Sequence, residues 1–479
     1  MKSTNFFNRV LAVLVLCICF LMASCGVEIE HVHVSFLTLS DTEVELEAGD
    51  IHVLECTVSP YNADNQRIIW SSSDKSVATV KDGVVTAVKA GNAIITAMSD
   101  DNGKTATCVV KVTDKGGNNG GGEPGIDMAS AVNLSSAGTA NCYIVSETGL
   151  YKFKAVKGNS DTSVGAVSSV EVLWESFGTS VAPESGELVS SVYFQDSYIA
   201  FQCHKIFYEG NAVVAAKDAA GNILWSWHLW FTDAPQSQTY YNNAGIVMDR
   251  NLGATSATPG EVGAIGLLYQ WGRKDPFLGS SSISTASKAA STLEWPSAVS
   301  SNSEYGTIDY ATAHPTTFIS RNFSNYDWYY TGSKSTDNTR WTTSDKAKSI
   351  YDPCPAGWRV PDGGSNGIWS KAAGADTFNW EFDDSNLGMD FLGKLGTLSI
   401  WYPASGHIYG GALEGVGQHG VYWSSNDPSR QDEYEAPSFV FAPGSSLKFG
   451  GTNHHFTDGT PTDAYLCRSL GFSVRCSRE

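Results

Sequence analysis

The sequence predicts a mainly β, multidomain protein with a β-sandwich near the N-terminus, a second β-rich domain and a long-looped C-terminal domain. Three observations carry this. Aromatic residues make up 11% of the chain and charged residues only 17%, a balance that favours strands over long solvated helices. Apolar residues fall in short alternating runs bounded by turn residues, the period of half-buried strands. A glycine-rich stretch interrupts a chain of 479 residues, which is more than one hydrophobic core normally serves. Apolar content of 42% excludes wholesale disorder.

Residues 1–24 read as a secretory signal. Lys2 and Arg9 give a basic start, an apolar run covers Val10 to Phe20, and small residues lead to Cys25. That run is too short for a comfortable membrane span. Leu21-Met22-Ala23-Ser24-Cys25-Gly26 resembles a bacterial lipobox. The resemblance implies that Cys25 is lipidated and that acyl chains hold the protein to a bilayer. Glu28 and Glu30 resemble the acidic signals that send some Bacteroidetes lipoproteins to the cell surface, so the expected address is the outer membrane. Loss of Lys2 and Arg9 takes the net charge from −19 to −21. Nucleic acid is thereby excluded as a partner, because such affinity comes from Lys and Arg displacing counterions.

Seven cysteines remain beyond Cys25: Cys56, Cys108, Cys142, Cys203, Cys354, Cys467 and Cys476. Disulfides are permitted outside the cytoplasm, and the odd number leaves at least one free thiol. No CxxC spacing or accompanying His suggests a metal site.

Residues 25–32 form a tether, and 33–114 alternate like an all-β sandwich. Val53, Cys56 and Val58 are placed on one strand. Ile68-Ile69-Trp70, Val84-Val85, Ile94-Ile95 and Cys108 to Val112 follow, separated by turns such as Asp82-Gly83. Alternation turns Cys56 and Cys108 inward, which admits a disulfide between them. Trp70-Ser71-Ser72-Ser73-Asp74, Val77-Ala78-Thr79-Val80, Gly83 to Val88 and Gly91 to Ala97 resemble the bacterial Ig-like group 2 domain. The resemblance implies a stalk or spacer that presents something else.

Residues 115–126 are a flexible glycine-rich linker. From 127 to 244 strand patterns return, and a second sandwich is expected. In Ile223 to Trp230 the alternation sets Trp225, Trp227 and Leu229 on one face, His228 and Trp230 on the other. An aromatic platform and a strand packed on both faces both fit, and the second is the commoner arrangement.

From 245 to 479 the chain is rich in Gly, Ser, Trp and Tyr. Short helices are expected from Asp362 or Ser365 to Ala373 and from Met389 to Leu395. Met248 to Ala254, Gly266 to Phe277, Cys354-Pro355-Ala356-Gly357-Trp358-Arg359, Tyr422-Trp423-Ser424-Ser425 and Ser473-Val474-Arg475-Cys476 resemble, in this order, the fibrobacter succinogenes major paralogous domain. That family is similar to the C-type lectin-like fold, an α+β architecture also used by formylglycine-generating enzymes. The resemblance implies that Cys354 and Cys476 pair and staple the two ends of the domain.

No catalytic residues are assigned. Gly415-Val416-Gly417-Gln418-His419-Gly420 spells a dinucleotide fingerprint, but no strand precedes it and no helix follows. Cys467 and Cys476, nine residues apart, fall on opposite strand faces, which disfavours the cooperating thiols of formylglycine-generating enzymes. Trp423-Ser424-Ser425-Asn426-Asp427 resembles, displaced by two residues, the Trp-Asn-Asp strand of calcium lectins, which would make Asn426, Asp427, Asp432 and Glu433 part of an oxygen ligand set for Ca2+, although no matching Glu-Pro-Asn loop is present. Without metal, Trp401, Tyr402, His407, Tyr409, Tyr422 and Trp423 offer an aromatic surface for sugar rings. The alternative is that Trp401 and Trp423 are core. Two functions follow: a lipid-anchored, non-catalytic head for a glycan or protein ligand, or a structural subunit of an envelope or fimbrial assembly.

Overall fold

A computed structural model describes residues 31–89, 91–113, 128–240, 243–321, 326–332, 339–364, 367–373, 381–392, 399–425, 435–443, 446–449, 452–455 and 462–479. The signal, Cys25 and the linker lie outside the described residues. The chain divides into two compact units, Met1–Gly122 and Glu123–Glu479.

In the first unit the strands Glu43–Glu47, Thr105–Thr113, Gly91–Ser99 and Ile68–Ser72 form one sheet in that order. Ile51–Val53, Val84–Ala87 and Ala78–Lys81 form a second, and Phe36–Leu39 pairs with Cys56–Ser59. Alternation is plain in Gly91–Ser99, where Ala93, Ile95 and Ala97 enter the core and Ile94 faces out. Leu37, Leu39, Leu54, Val85, Cys108, Val110 and Val112 complete that core. The Asp82-Gly83 turn joins Ala78–Lys81 to Val84–Ala87 with both residues at positive φ, 47° and 82°. This is the two-residue hairpin turn whose twist matches the strands.

One expectation fails here. Val53 and Cys56 are not on one strand: Ile51–Val53 pairs with Val84–Thr86, then the chain changes sheet and Cys56–Ser59 pairs with Phe36–Leu39. Cys56 ends opposite Leu39, and Cys108 opposite Ile95 in another sheet. Both thiols are free. A single long strand would have put them in simple register, and the sheet switch removes that.

The second unit contains a sandwich of two four-stranded sheets. One runs Val132–Asn133, Leu150–Lys154, Tyr198–Cys203, Val189–Gln195; the other runs Cys142–Val145, Ile223–Phe231, Gly210–Lys217, Ser169–Ser176. Phe153, Ile199 and Phe201 from the first meet Val145, Val214, Trp225, Trp227 and Leu229 from the second. The opposite face of Ile223–Phe231 is also buried: Trp230 joins a core with Met248, Leu252, Tyr269, Trp271, Cys354, Trp423 and Cys476. The strand is therefore packed on both faces, and the sandwich shares a core with residues beyond 244. Trp230 Nε1 is satisfied there, donating to the Ala254 carbonyl at 2.9 Å.

Beyond the sandwich the largest sheet has seven strands. In order it runs Ala412–Glu414, His407–Tyr409, Gly471–Ser473, Gly420–Trp423, Glu435–Phe441 and Thr462–Cys467, with Leu268–Gln270 also on Gly471–Ser473. A helix ends at Ala373 as expected but begins at Ile368 rather than at Asp362 or Ser365, and it buries Trp369. The helix expected over 389–395 does not: Gly388–Leu392 is a strand paired with Ser399–Pro403. Met389 and Phe391 point inward on either side of Asp390, a period of two that the apolar count alone obscured.

Cys354 and Cys476 are disulfide-bonded across 122 residues. The bond lies beside the pairing of Trp358–Arg359 with Ser477–Arg478. Asp352 shapes the first arm, its carboxylate accepting from the N–H groups of Cys354 at 2.8 Å and Val360 at 2.9 Å. Burial pushes that carboxyl up to about 6.

Candidate functional site

The residues predicted to form an aromatic surface are core residues, with one exception. Tyr402, His407, Tyr422 and Trp423 are fully buried, and Trp401 is 6% exposed. Tyr402 shares a hydrogen bond with Tyr240 at 2.6 Å and accepts one from Trp369 Nε1 at 3.0 Å. Tyr422 donates to the Pro403 carbonyl at 2.6 Å, and Trp423 Nε1 to the Tyr269 carbonyl at 2.7 Å. Trp423 also packs on Phe472 with ring centres 4.2 Å apart. These rings hold the sheet together and show no face to a ligand. The physical reason is that both faces of their strands are covered, so alternation has no solvent side.

Asn426, Asp427, Asp432 and Glu433 lie outside the described residues, and so does any calcium site built from them. Among the described residues no cluster of three His, Cys, Asp or Glu side chains is placed to hold a metal ion. The Gly415 to Gly420 segment joins two strands, Ala412–Glu414 and Gly420–Trp423: contrary to expectation a strand does precede it, but no helix follows.

Tyr409 is the exception. It is half-buried and lines a cleft of about 240 Å³ with Ser300, Ser320, Arg321, Gly410, Ser469 and Leu470. Four segments build it. Ser300 and Ser320 are neighbours in a short parallel pair of strands. Tyr409 ends the strand His407–Tyr409, and the turn to Ala412–Glu414 takes positive φ at both Gly410 and Gly411, 59° and 90°. Side chains with a Cβ resist that conformation, so the glycine pair brings Tyr409 to the end of its hairpin. Ser469 and Leu470 form the turn between Thr462–Cys467 and Gly471–Ser473.

A buried amide holds two of these walls together. Gln270 Nε2 donates to the carbonyls of Ile319 and Ser469, each at 2.8 Å. Its Oε1 accepts from the Ile319 N–H at 3.2 Å and from Arg273 at 2.9 Å. Behind it Trp271 is clasped between two guanidiniums, Arg340 at 4.6 Å and Arg468 at 4.4 Å from the ring centre. Asp327 pairs with both arginines, accepting from Arg340 Nη1 at 3.0 Å. The block from Gly266 to Phe277 thus acts through Gln270 and Trp271 as the frame of the cleft.

Arg321 is the charged group of the cleft. Its Nη2 donates to the Tyr409 hydroxyl at 3.2 Å, and its guanidinium lies 4.8 Å from the Tyr326 ring centre and 5.7 Å from that of Tyr409. Among the described residues no carboxylate pairs with it. Some enclosed cations have such partners, as Arg250 has Asp249, Lys274 has Asp275 and Arg340 has Asp327, whereas Arg273 and Arg475 are held by amide and carbonyl oxygens. Cys467 lies close by; burial pushes its thiol up to about 11, partly countered by the positive charge of Arg321. Cys476 is bonded to Cys354 and unavailable to it. Sequence reasoning found Tyr409 but missed Arg321, whose segment carries no motif.

Residues 33–110 match the family model of the bacterial Ig-like domain (group 2). The first compact unit carries a bacterial Ig-like domain. Three curated relatives match over segments of similar length. An uncharacterized protein of Clostridium acetobutylicum is 38% identical over 79 residues, 16% of this chain and 8% of that protein. An alpha-L-arabinofuranosidase of Bifidobacterium longum is 44% identical over 73 residues, 15% and 7%. A kappa-carrageenase of Pseudoalteromonas carrageenovora is 40% identical over 82 residues, 17% and 21%. The chain therefore spans about a fifth or less of each relative's length. Among solved structures, S-layer protein SbsC domains 4 and 5 cover 16% of this chain and 51% of that one at 18% identity, with a TM-score of 0.15. A Bacteroides ovatus mixed-linkage glucan utilization protein, SGBP-B, covers 43% and 44% at 12% identity, with a TM-score of 0.12. Likenesses at this level carry no weight for function.

Proposed function

We propose that this chain is a lipid-anchored outer-membrane protein whose Ig-like domain is a stalk and whose second unit is a non-catalytic binding head, with a glycan as its ligand. Lipidation at Cys25 supplies the anchor. The head takes the fibrobacter succinogenes major paralogous domain and its C-type lectin-like fold as its family and architecture. The observation that carries the reading is the cleft of about 240 Å³ lined by Ser300, Ser320, Arg321, Tyr409 and Ser469. Hydroxyls and a guanidinium beside a tyrosine ring are the groups that recognise a sugar: polar atoms bind hydroxyls while the ring packs against C–H faces. The glycine pair Gly410-Gly411 and the Gln270 clamp set these groups in place before a ligand arrives.

The test is a glycan array probed with the chain from residue 25 onward. Binding to a defined set of saccharides is expected, reduced at least tenfold by Tyr409→Ala. Blank arrays, with capture of envelope or fimbrial subunits in their place, would favour the structural-subunit reading instead.

A further inference from the structure

Resting on the binding-head reading, we infer that the cleft selects saccharides that bear a carboxylate, through Arg321. The chain carries 50 acidic and 31 basic residues, so the background potential repels anions, and an anion site needs a local cation free to act. Arg321 lines the cleft, donates to the Tyr409 hydroxyl and contacts the Cys467 thiol, and has no carboxylate partner among the described residues. A guanidinium has five N–H donors in a planar fork that matches the two oxygens of a carboxylate. Among the described residues its polar contacts go to a neutral hydroxyl and a neutral thiol, and no carboxylate compensates the charge.

The rings beside it orient the guanidinium. Tyr326 and Tyr409 both lie within cation–π range. Tyr326 is 40% exposed, so part of its surface remains open to a ligand. Ser300, Ser320 and Ser469 add hydroxyls around the same space. A volume of about 240 Å³ is below the roughly 300–1,000 Å³ of pockets for drug-sized ligands. It therefore receives one acidic sugar unit, with the rest of any chain outside. An adjoining hollow lined by Phe277, Trp295 and Phe318 holds only about 40 Å³ and lacks this set of hydroxyls. A free acidic peptide satisfies the guanidinium alone and leaves the hydroxyl and ring positions unused, so a saccharide is the better match.

The experiment titrates the chain from residue 25 onward with a uronic-acid oligosaccharide and with the same oligosaccharide after reduction of its carboxyl groups. The parent is expected to bind the acidic form at least tenfold more tightly, with the preference shrinking as salt rises. Arg321→Ala is expected to abolish the preference by weakening binding of the acidic form far more than that of the reduced form. Arg321→Lys is expected to retain part of it, because charge survives without the fork. Unaltered melting curves of both variants establish that folding is intact. Equal affinity for both forms, or a preference that survives Arg321→Ala, overturns the inference and leaves the binding-head reading standing. Binding to neither form while a poly-glutamate peptide binds overturns the saccharide assignment itself. Binding to no probe at all overturns both.

Discussion

His228 shows how a polar side chain is made part of a core. It is fully enclosed, and its Nε2 donates to Asn211 Oδ1 at 2.8 Å. Asn211 in turn donates to the Gly253 carbonyl at 2.9 Å. Burial pulls the imidazole down to about 3, and it acts on His407 in the same direction, to about 3, and on His419, to about 4. Their unfolded values lie near 6.5. The unfolded chain thus takes up protons below that pH while the folded chain does not. Stability is full above about 6.5 and is lost as pH falls toward about 3 for His228 and His407 and about 4 for His419, by up to about 1.4 kcal/mol per pH unit for each group. Urea melts at pH 7 and pH 4.5 should show a smaller acid loss in His228→Gln than in the parent; an equal loss would place His228 in contact with water. Trp423 allows a second check at this scale. As a core residue it should cost about 3–5 kcal/mol on replacement by alanine, whereas a surface platform residue would cost under about 0.5 kcal/mol.

At the scale of elements, the readings that came through rest on period and turn chemistry. Asp82-Gly83 is a hairpin turn and Ile223–Phe231 is a strand buried on both faces; the bond between Cys354 and Cys476, also present, came instead from the family resemblance. Readings that failed needed information beyond local pattern. Nothing local to Val53 or Cys56 marks the change of sheet between them. Trp401, Tyr422 and Trp423 have the composition of a binding surface, and only the covering of both sheet faces reveals them as core. The cleft is harder still to read, because residues near 300, 320, 409 and 469 meet only in the folded chain. The disulfide makes an element-scale prediction. It closes a loop of 122 residues, and loss of a native bond of this kind costs about 2–5 kcal/mol. Reducing agent should lower the melting transition of the second unit and leave the Ig-like unit unmoved, since Cys56 and Cys108 are already free thiols. Movement of both transitions would contradict that assignment.

For the molecule as a whole, composition set limits and the fold gave them places. The net charge of −19 keeps such a protein soluble and argues against nucleic acid; the cleft sets against that background a cation with no carboxylate partner among the described residues. The two compact units divide the work in the proposal, with the Ig-like unit as spacer and residues 123–479 as the head. The central claim is that ligand meets the head at the Arg321 cleft. Hydrogen–deuterium exchange of the chain from residue 25 onward, with and without a saccharide selected on the array, tests it most directly. The account predicts slowed exchange confined to the backbone around Ile319–Arg321, Ile408–Gly411 and Arg468–Leu470. Protection confined to residues 33–110, or spread over the head without these three segments, would contradict it.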